Sequence, residues 1–205
     1  MAVFRSNQQD APANGKWAAI SGGIVTTYSS GGFDYEIHSF LSDGTLTVVR
    51  GGLVDVLLVG GGGPGAWGNN ATYPTAGGGG GGGFVETQVY LPAGSYPITV
   101  GAGGVAGTSS PRDRTEGKAS TLGSILVAPG GGCGGTVIAT SNEQILNSAG
   151  GSGGGAASTI TDGFGVPGFG YNGGAGDAGA LYGGGGGGAG SVGGAPAGSV
   201  GGAGG

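Results

Sequence analysis

An unbroken run of seven glycines at residues 77–83, followed by one of six at 183–188, sets the problem this chain has to solve. Glycine has more backbone freedom to lose than any other residue. Fixing one residue in a single backbone well costs about 1–2 kcal/mol, so seven in a row resist ordering by roughly ten. Sixty of the 205 residues are glycine, a share that in most chains reads as linker. Here the runs alternate with β-branched segments such as Val54-Asp55-Val56-Leu57-Leu58-Val59 and Phe84-Val85-Glu86-Thr87-Gln88-Val89-Tyr90-Leu91. That alternation points to ordered glycine segments mounted on a β core.

One conformation reconciles order with missing side chains. The left-handed threefold helix rises about 3.1 Å per residue and makes no internal hydrogen bonds. Its amides and carbonyls point outward, free to pair laterally. Without Cβ atoms, neighbouring rods approach closely and bond on several sides, so buried backbone groups are satisfied without side chains. The expectation is a stiff slab of such rods. A flexible linker, the competing reading, fits poorly with the low serine content of the runs and their recurrence through most of the chain.

Along the chain, residues 1–20 read as an arm or attachment segment with little structure of its own. Residues 21–127 read as a β-sandwich core with glycine-rich insertions, its strands expected at 24–28, 33–41, 45–50, 53–59, 84–91, 96–100, 120–122 and 124–127. In 33–41 the period of two places Phe33, Tyr35 and Ile37 on one face and Asp34, Glu36 and His38 on the other. Ser42-Asp43-Gly44 is a hairpin signal, since Asp-Gly tolerates the positive φ of a tight turn. Residues 128–205 form a glycine-rich region of polyglycine rods, where Val137, Ile138, Ile160, Phe164, Val166, Phe169, Tyr171, Leu181 and Tyr182 are placed to seat glycine segments. Residues 142–146, capped by Ser141, are the best helix candidate, of one or two turns. The fold class is therefore all-β: a β sandwich with packed polyglycine II helices and almost no α-helix.

Charged residues make up 8% of the chain, against about 25% in ordinary globular proteins. Six Lys+Arg against eleven Asp+Glu give a net charge of −5, the wrong sign for neutralising phosphates, so nucleic acid is not an expected partner. The longest aliphatic run, residues 56–59, is far too short to span a bilayer, and the first ten residues lack the apolar stretch of a signal peptide. Synthesis in a cytoplasm is the corresponding expectation. Cys133, the one cysteine, reads as a free structural thiol, with an intermolecular bridge as the sharper alternative.

No constellation for catalysis or cofactor binding emerges, so neither an enzyme nor a cofactor is expected. Gly60, Gly62 and Gly65 fit the dinucleotide fingerprint after a strand, but Ala66-Trp67-Gly68-Asn69-Asn70-Ala71-Thr72-Tyr73-Pro74 cannot supply the helix that the fingerprint needs. His38, the single histidine, is expected to face solvent beside Asp34 and Glu36, a solvated strand face and not a catalytic pair. No acidic run has calcium-loop spacing. Two glycine-framed loops carry binding candidates: Trp67, Asn69, Asn70 and Tyr73 in 64–76, and Arg112 and Arg114 in 107–118. These aromatic and polar side chains suit contact with surface sugars, and equally packing within the domain or on a neighbouring subunit.

Taken in order, residues 22–28, 33–40, 44–48, 54–63, 77–85 and Leu91-Pro92-Ala93-Gly94-Ser95-Tyr96-Pro97-Ile98-Thr99-Val100-Gly101-Ala102-Gly103-Gly104 resemble the glycine-rich domain of bacteriophage tail fibres and minor tail proteins. A similar domain occurs outside anaplastic lymphoma kinase, and T-even-like phage adhesins carry stacked polyglycine helices. The resemblance covers about residues 22–205. It implies a structural virion protein exposed on the particle, anchored through residues 1–20, with other virion proteins and further copies of itself as partners. A receptor-binding adhesin contacting a host surface glycan or protein is the alternative, with a head fibre, a capsid decoration or an extracellular glycine-rich matrix protein behind it. Domains of this kind usually finish with a closing strand of alternating Val and Ile, where this sequence reads Gly201-Gly202-Ala203-Gly204-Gly205.

Overall fold

The structure, a computed structural model, describes residues 1–7, 16–67, 75–107, 113–138, 143–145, 147–157, 163–177, 182–197 and 200–205. Among these it is all-β, without α-helix. Two compact units share the chain: residues 1–59, 85–100 and 120–127 form one, and 60–84, 101–119 and 128–205 the other. The division expected near residue 128 is thus one of several passages between units, because two glycine-rich insertions join the C-terminal region.

The first unit is the sandwich. Its strands are β1 (Ala2–Asn7), β2 (Ala19–Ser21), β3 (Ile24–Ser30), β4 (Phe33–Phe40), β5 (Gly44–Arg50), β6 (Gly52–Val59), β7 (Phe84–Leu91), β8 (Gly94–Thr99), β9 (Ser120–Leu122) and β10 (Leu126–Ala128). They form two five-stranded sheets, ordered β3-β4-β1-β6-β7 and β10-β9-β8-β5-β2. Alternate residues point inward, as the pleat requires. Ala2, Phe4, Phe40, Val54, Val56 and Leu58 are buried on the first sheet and Ile20, Leu46, Val48, Ile98 and Leu122 on the second. Phe4 meets Phe40 edge to face, ring centroids 5.8 Å apart. Gly31 and Gly32, at φ 62° and 80°, make the two-residue turn from β3 to β4, a conformation with positive φ at both positions that matches strand twist.

Three sequence expectations are corrected here. Residues 2–7 are no arm: β1 lies in the middle of its sheet, paired antiparallel with β4 from Ala2↔Phe40 to Asn7↔Tyr35 and with β6 from Ala2↔Leu58 to Arg5↔Asp55. His38 does not face solvent. It is 1% exposed, and the inward face of β4 is completed by Phe40, so burial follows the end of the strand nearest the core. Ser42-Asp43-Gly44 turns no hairpin, because β4 and β5 belong to different sheets. Asp43 instead fixes this corner by accepting the Val100 amide at 2.7 Å.

In the second unit the hydrogen bonds between glycine segments recur every third residue. The amides of Gly77 and Gly80 donate to Gly135 and Gly132, and that of Gly83 to Pro129, all within 2.7–2.8 Å. Gly78 and Gly81 donate to another segment, at Gly184 and Gly187. The carbonyls of Gly77, Gly80 and Gly83 receive Ala66, Gly63 and Gly60, while those of Gly78 and Gly81 receive Gly155 and Ser152. Residues 77–83 are therefore bonded to four other segments. A β ladder would address one neighbour with every second residue; a stride of three is what three residues per turn produces. No glycine of these runs has positive φ, which makes the threefold helix left-handed. The same stride joins 131 and 134 to 61 and 64, 153 and 156 to 171 and 174, and 202 and 205 to 183 and 186.

Packing this close leaves no room for side chains at most positions. A Cβ on Gly80 would overlap the Ser152 carbonyl oxygen and lie 2.7 Å from that of Gly153. One on Gly131 would overlap the Gly80 oxygen and lie 2.6 Å from that of Gly81. Other positions face a gap: a Cβ on Gly81 meets nothing nearer than 3.6 Å, and one on Gly62 nothing nearer than 3.8 Å.

Cys133 lies within a rod, its amide donating to Ser148 Oγ at 2.7 Å, and burial pushes its thiol pKa up. A buried, protonated thiol is a poor nucleophile. Cys133 should therefore react with an aromatic disulfide reagent at least about 100-fold more slowly in the folded protein than in denaturant. Equal rates would show that the rods around it are open.

The helix candidate at 142–146 is overturned within its described part. Glu143–Ile145 is a strand, β12, antiparallel to β11 (Thr136–Ile138). A stretch of five residues cannot meet the cost of starting a helix, whereas β-branched Thr136-Val137-Ile138 offers a ready partner.

Candidate functional site

Of the residues picked out in the two loops, Trp67 and Arg114 are described, while Asn69, Asn70, Tyr73 and Arg112 lie outside the described residues. Both described residues are half-buried and both reach the same short segment. The Trp67 carbonyl accepts from Thr136 Oγ1 at 3.1 Å, and Arg114 Nη1 donates to the Gly134 carbonyl. The loops thus converge on residues 134–136 of the glycine unit.

A second feature had no signature in the sequence. Phe164, Val166 and Tyr171, expected to seat glycine segments, are exposed. Val166-Pro167-Gly168-Phe169 forms a turn closed by the Phe169 amide to the Val166 carbonyl at 3.0 Å, with Gly168 at φ 85°. Proline second and a positive-φ glycine third is the type II arrangement. The Phe169 carbonyl then accepts the Phe84 amide at 2.9 Å, and Asn172 Oδ1 accepts the Gly165 amide at 2.9 Å. These ties frame an open hollow of about 470 Å³, lined by Phe84, Pro167, Phe169, Tyr171, Asn172 and Val192. Aromatic faces with one side-chain amide on a rigid frame suit a flat, partly apolar ligand such as a sugar ring.

In the sandwich unit, a polar cluster occupies one face of the first sheet. Arg5 donates through Nε and Nη2 to Asp55 Oδ2 at 2.9 and 2.6 Å and through Nη1 to Tyr28 Oη at 3.0 Å. Its guanidinium lies over the Tyr35 ring, 5.1 Å from the centroid, and Tyr35 stacks on Tyr28 at 5.0 Å. Gln88 donates to Asp55 Oδ1 at 2.8 Å. The bonds to Tyr28 and Asp55 hold the Arg5 pKa above its ordinary value. This arrangement engages both Asp55 carboxylate oxygens and acts as a clasp across β1, β3, β4, β6 and β7.

His38 donates from Nδ1 to the Gly22 carbonyl at 2.8 Å, and its Nε2 stands 3.5 Å from Glu36 Oε2. Neither ring nitrogen is hydrogen-bonded to a serine hydroxyl, so the imidazole activates no nucleophile in this geometry. Ser29 Oγ donates instead to Asp34 Oδ1 at 2.6 Å. Among the described residues no three His, Cys, Asp or Glu side chains are grouped to hold a metal ion, and no helix is long and apolar enough to cross a membrane.

Residues 40–205, well over half the chain, match the family model described as a glycine-rich domain. The chain belongs to that family. No curated protein and no solved structure matches it. The matched part of this glycine-rich domain begins at the last residue of β4, so β1, β2 and β3 precede it, although β1 is central to its sheet.

Proposed function

We propose that this glycine-rich domain is a structural component of a bacteriophage particle, a tail fibre or minor tail protein exposed on the virion and made in the host cytoplasm. What supports the reading is the rod lattice, in which each segment's backbone is bonded to several others every third residue. Such a lattice is stiff in every lateral direction without a large apolar core. With six Lys+Arg in 205 residues it also offers few sites to trypsin-like proteases, a useful property outside a cell. Its partners are then other virion proteins and further copies of itself. Gold-labelled antibody raised against the recombinant domain is expected to mark phage tails in electron micrographs. Label on capsids would move the protein to a head fibre or decoration. Label in the cell wall or matrix, with none on particles, would overturn the virion assignment.

The aromatic hollow favours a second, overlapping reading, an adhesin that contacts a host surface glycan. Its carriers are Phe169, Tyr171 and Asn172, with Trp67, Asn69, Asn70, Tyr73, Arg112 and Arg114 as the loop candidates. Replacing exposed Tyr171 by alanine should leave folding intact and lower adsorption to cells about tenfold, a loss of about 1.4 kcal/mol and near the upper end for one aromatic contact. Unchanged adsorption with intact particles would remove the hollow from recognition.

A further inference from the structure

We propose that two copies of this chain pair through the free edge of β3, antiparallel about a twofold axis, so that the β3-β4-β1-β6-β7 sheet continues into its mate. β3 is the last strand of that sheet, bonded to β4 on one side in unbroken register from Ile24↔Ser39 to Ser30↔Phe33. All seven of its residues are exposed. An edge of this kind is a template for another strand, and proteins normally blunt it with lysine, proline, a bulge or a very short strand. β3, Ile24-Val25-Thr26-Thr27-Tyr28-Ser29-Ser30, has none of these. The other edges are managed. β2 and β10 have three residues each, β2 with a register shift against β5, and β7 carries Glu86 and is only alternately exposed.

The strand's own chemistry selects a second copy as the occupant. β3 bears no charge, so self-pairing sets no like charges opposite one another. Full antiparallel overlap puts Thr27 opposite its twin, Thr26 opposite Tyr28, Val25 opposite Ser29 and Ile24 opposite Ser30. That register covers four exposed apolar or aromatic side chains near the edge, Ile24, Val25, Tyr28 and Phe33. A twofold contact of one patch with itself closes, and leaves no further β3 edge to grow a fibre. The pairing requires nothing of the particle assignment, and failure of gold labelling on virions would leave it untouched.

Sedimentation of the full chain from micromolar to submillimolar concentration is expected to show a monomer–dimer equilibrium. Thr27→Lys, which places two like charges on the axis, should return it to monomer with an unchanged far-ultraviolet spectrum. Thr27→Cys should give a disulfide-linked dimer in mild oxidant, whereas wild type, whose Cys133 is buried, should not. Directly opposed residues in an antiparallel pair have Cα atoms about 4.5–5.5 Å apart, within disulfide reach. A chain that stays monomeric at every concentration would overturn the proposal. So would oligomers that survive Thr27→Lys, or that grow without limit as head-to-tail β3–β7 pairing would, or a Thr27→Cys protein that does not cross-link.

Discussion

Gly80→Ala is expected to cost at least about 3 kcal/mol of stability in the glycine unit, while Gly81→Ala, one residue on, is expected to be neutral or slightly stabilising. Composition cannot tell these two glycines apart; rod packing can. At Gly80 a methyl group overlaps the Ser152 carbonyl oxygen and sits 2.7 Å from that of Gly153, both of them backbone atoms that cannot swing aside. To admit it the rods must part, which strains the Gly80 bond to Gly132 and the Gly63 bond to Gly80, each 2.8 Å long. Overpacking costs about 1–3 kcal/mol, and each buried backbone group left unpaired about as much again. At Gly81 the nearest atoms, Gly187 O, Gly188 Cα and Ser152 Oγ, lie at 3.6–3.7 Å, an ordinary contact. Alanine there mainly restricts the unfolded chain, a gain of about 0.4–1 kcal/mol. Denaturant unfolding of the two variants followed side by side checks this. Equal effects would mean that the lattice does not discriminate and the rods are not packed as described.

The other large effect belongs to the N-terminal strand. Phe4→Ala is expected to destabilise the sandwich by about 3–5 kcal/mol, the range for emptying a buried phenylalanine site. Phe4 is 0% exposed and lies on the central strand, so its neighbours are held on both sides and collapse little into the space. Against a typical domain stability of about 5–15 kcal/mol this leaves a marginal fold. Arg5→Ala on the opposite face is the internal control. Its ion pair with Asp55 is part-exposed, and losing it together with the contacts to Tyr28 and Tyr35 should cost no more than about 2 kcal/mol. If Phe4→Ala cost as little as Arg5→Ala in thermal or denaturant unfolding, residues 2–7 would be a docked arm and not a structural strand.

Why β1 escaped the sequence is physical. Only three of its six residues are apolar, the inward Ser6 and the buried Asn7 are polar, and its partners β4 and β6 lie far along the chain. Nothing local announces such a strand. The strands from β3 to β10 were legible because alternation and glycine turns are local signals, and β7 and β9 fall on the residues expected, whereas the three-residue strands β2, β11 and β12 were not foreseen. His38 misled for a related reason. Alternation assigns residues to faces but does not say which face is inward, and the apolar trio Phe33, Tyr35 and Ile37 lies on the outer face. The rods were legible as an energetic necessity, since long glycine runs are ordered only by dense lateral bonding. Their partners were not, because identical residues carry no pairing code. The aromatic hollow stayed hidden because its lining residues are drawn from residues 84, 167–172 and 192, with no period to link them.

Amide hydrogen exchange resolved residue by residue in the 77–83 and 183–188 runs is the most direct trial of the laterally bonded lattice. The amides of Gly77, Gly78, Gly80, Gly81 and Gly83, and those of Gly184, Gly185 and Gly187, have carbonyl acceptors on other segments within 2.7–2.9 Å. They should exchange at least about a thousandfold more slowly than in an unstructured glycine peptide, as buried bonded amides of a stable unit do. Exchange at the peptide rate throughout both runs would contradict the lattice and return the glycines to the status of slack chain.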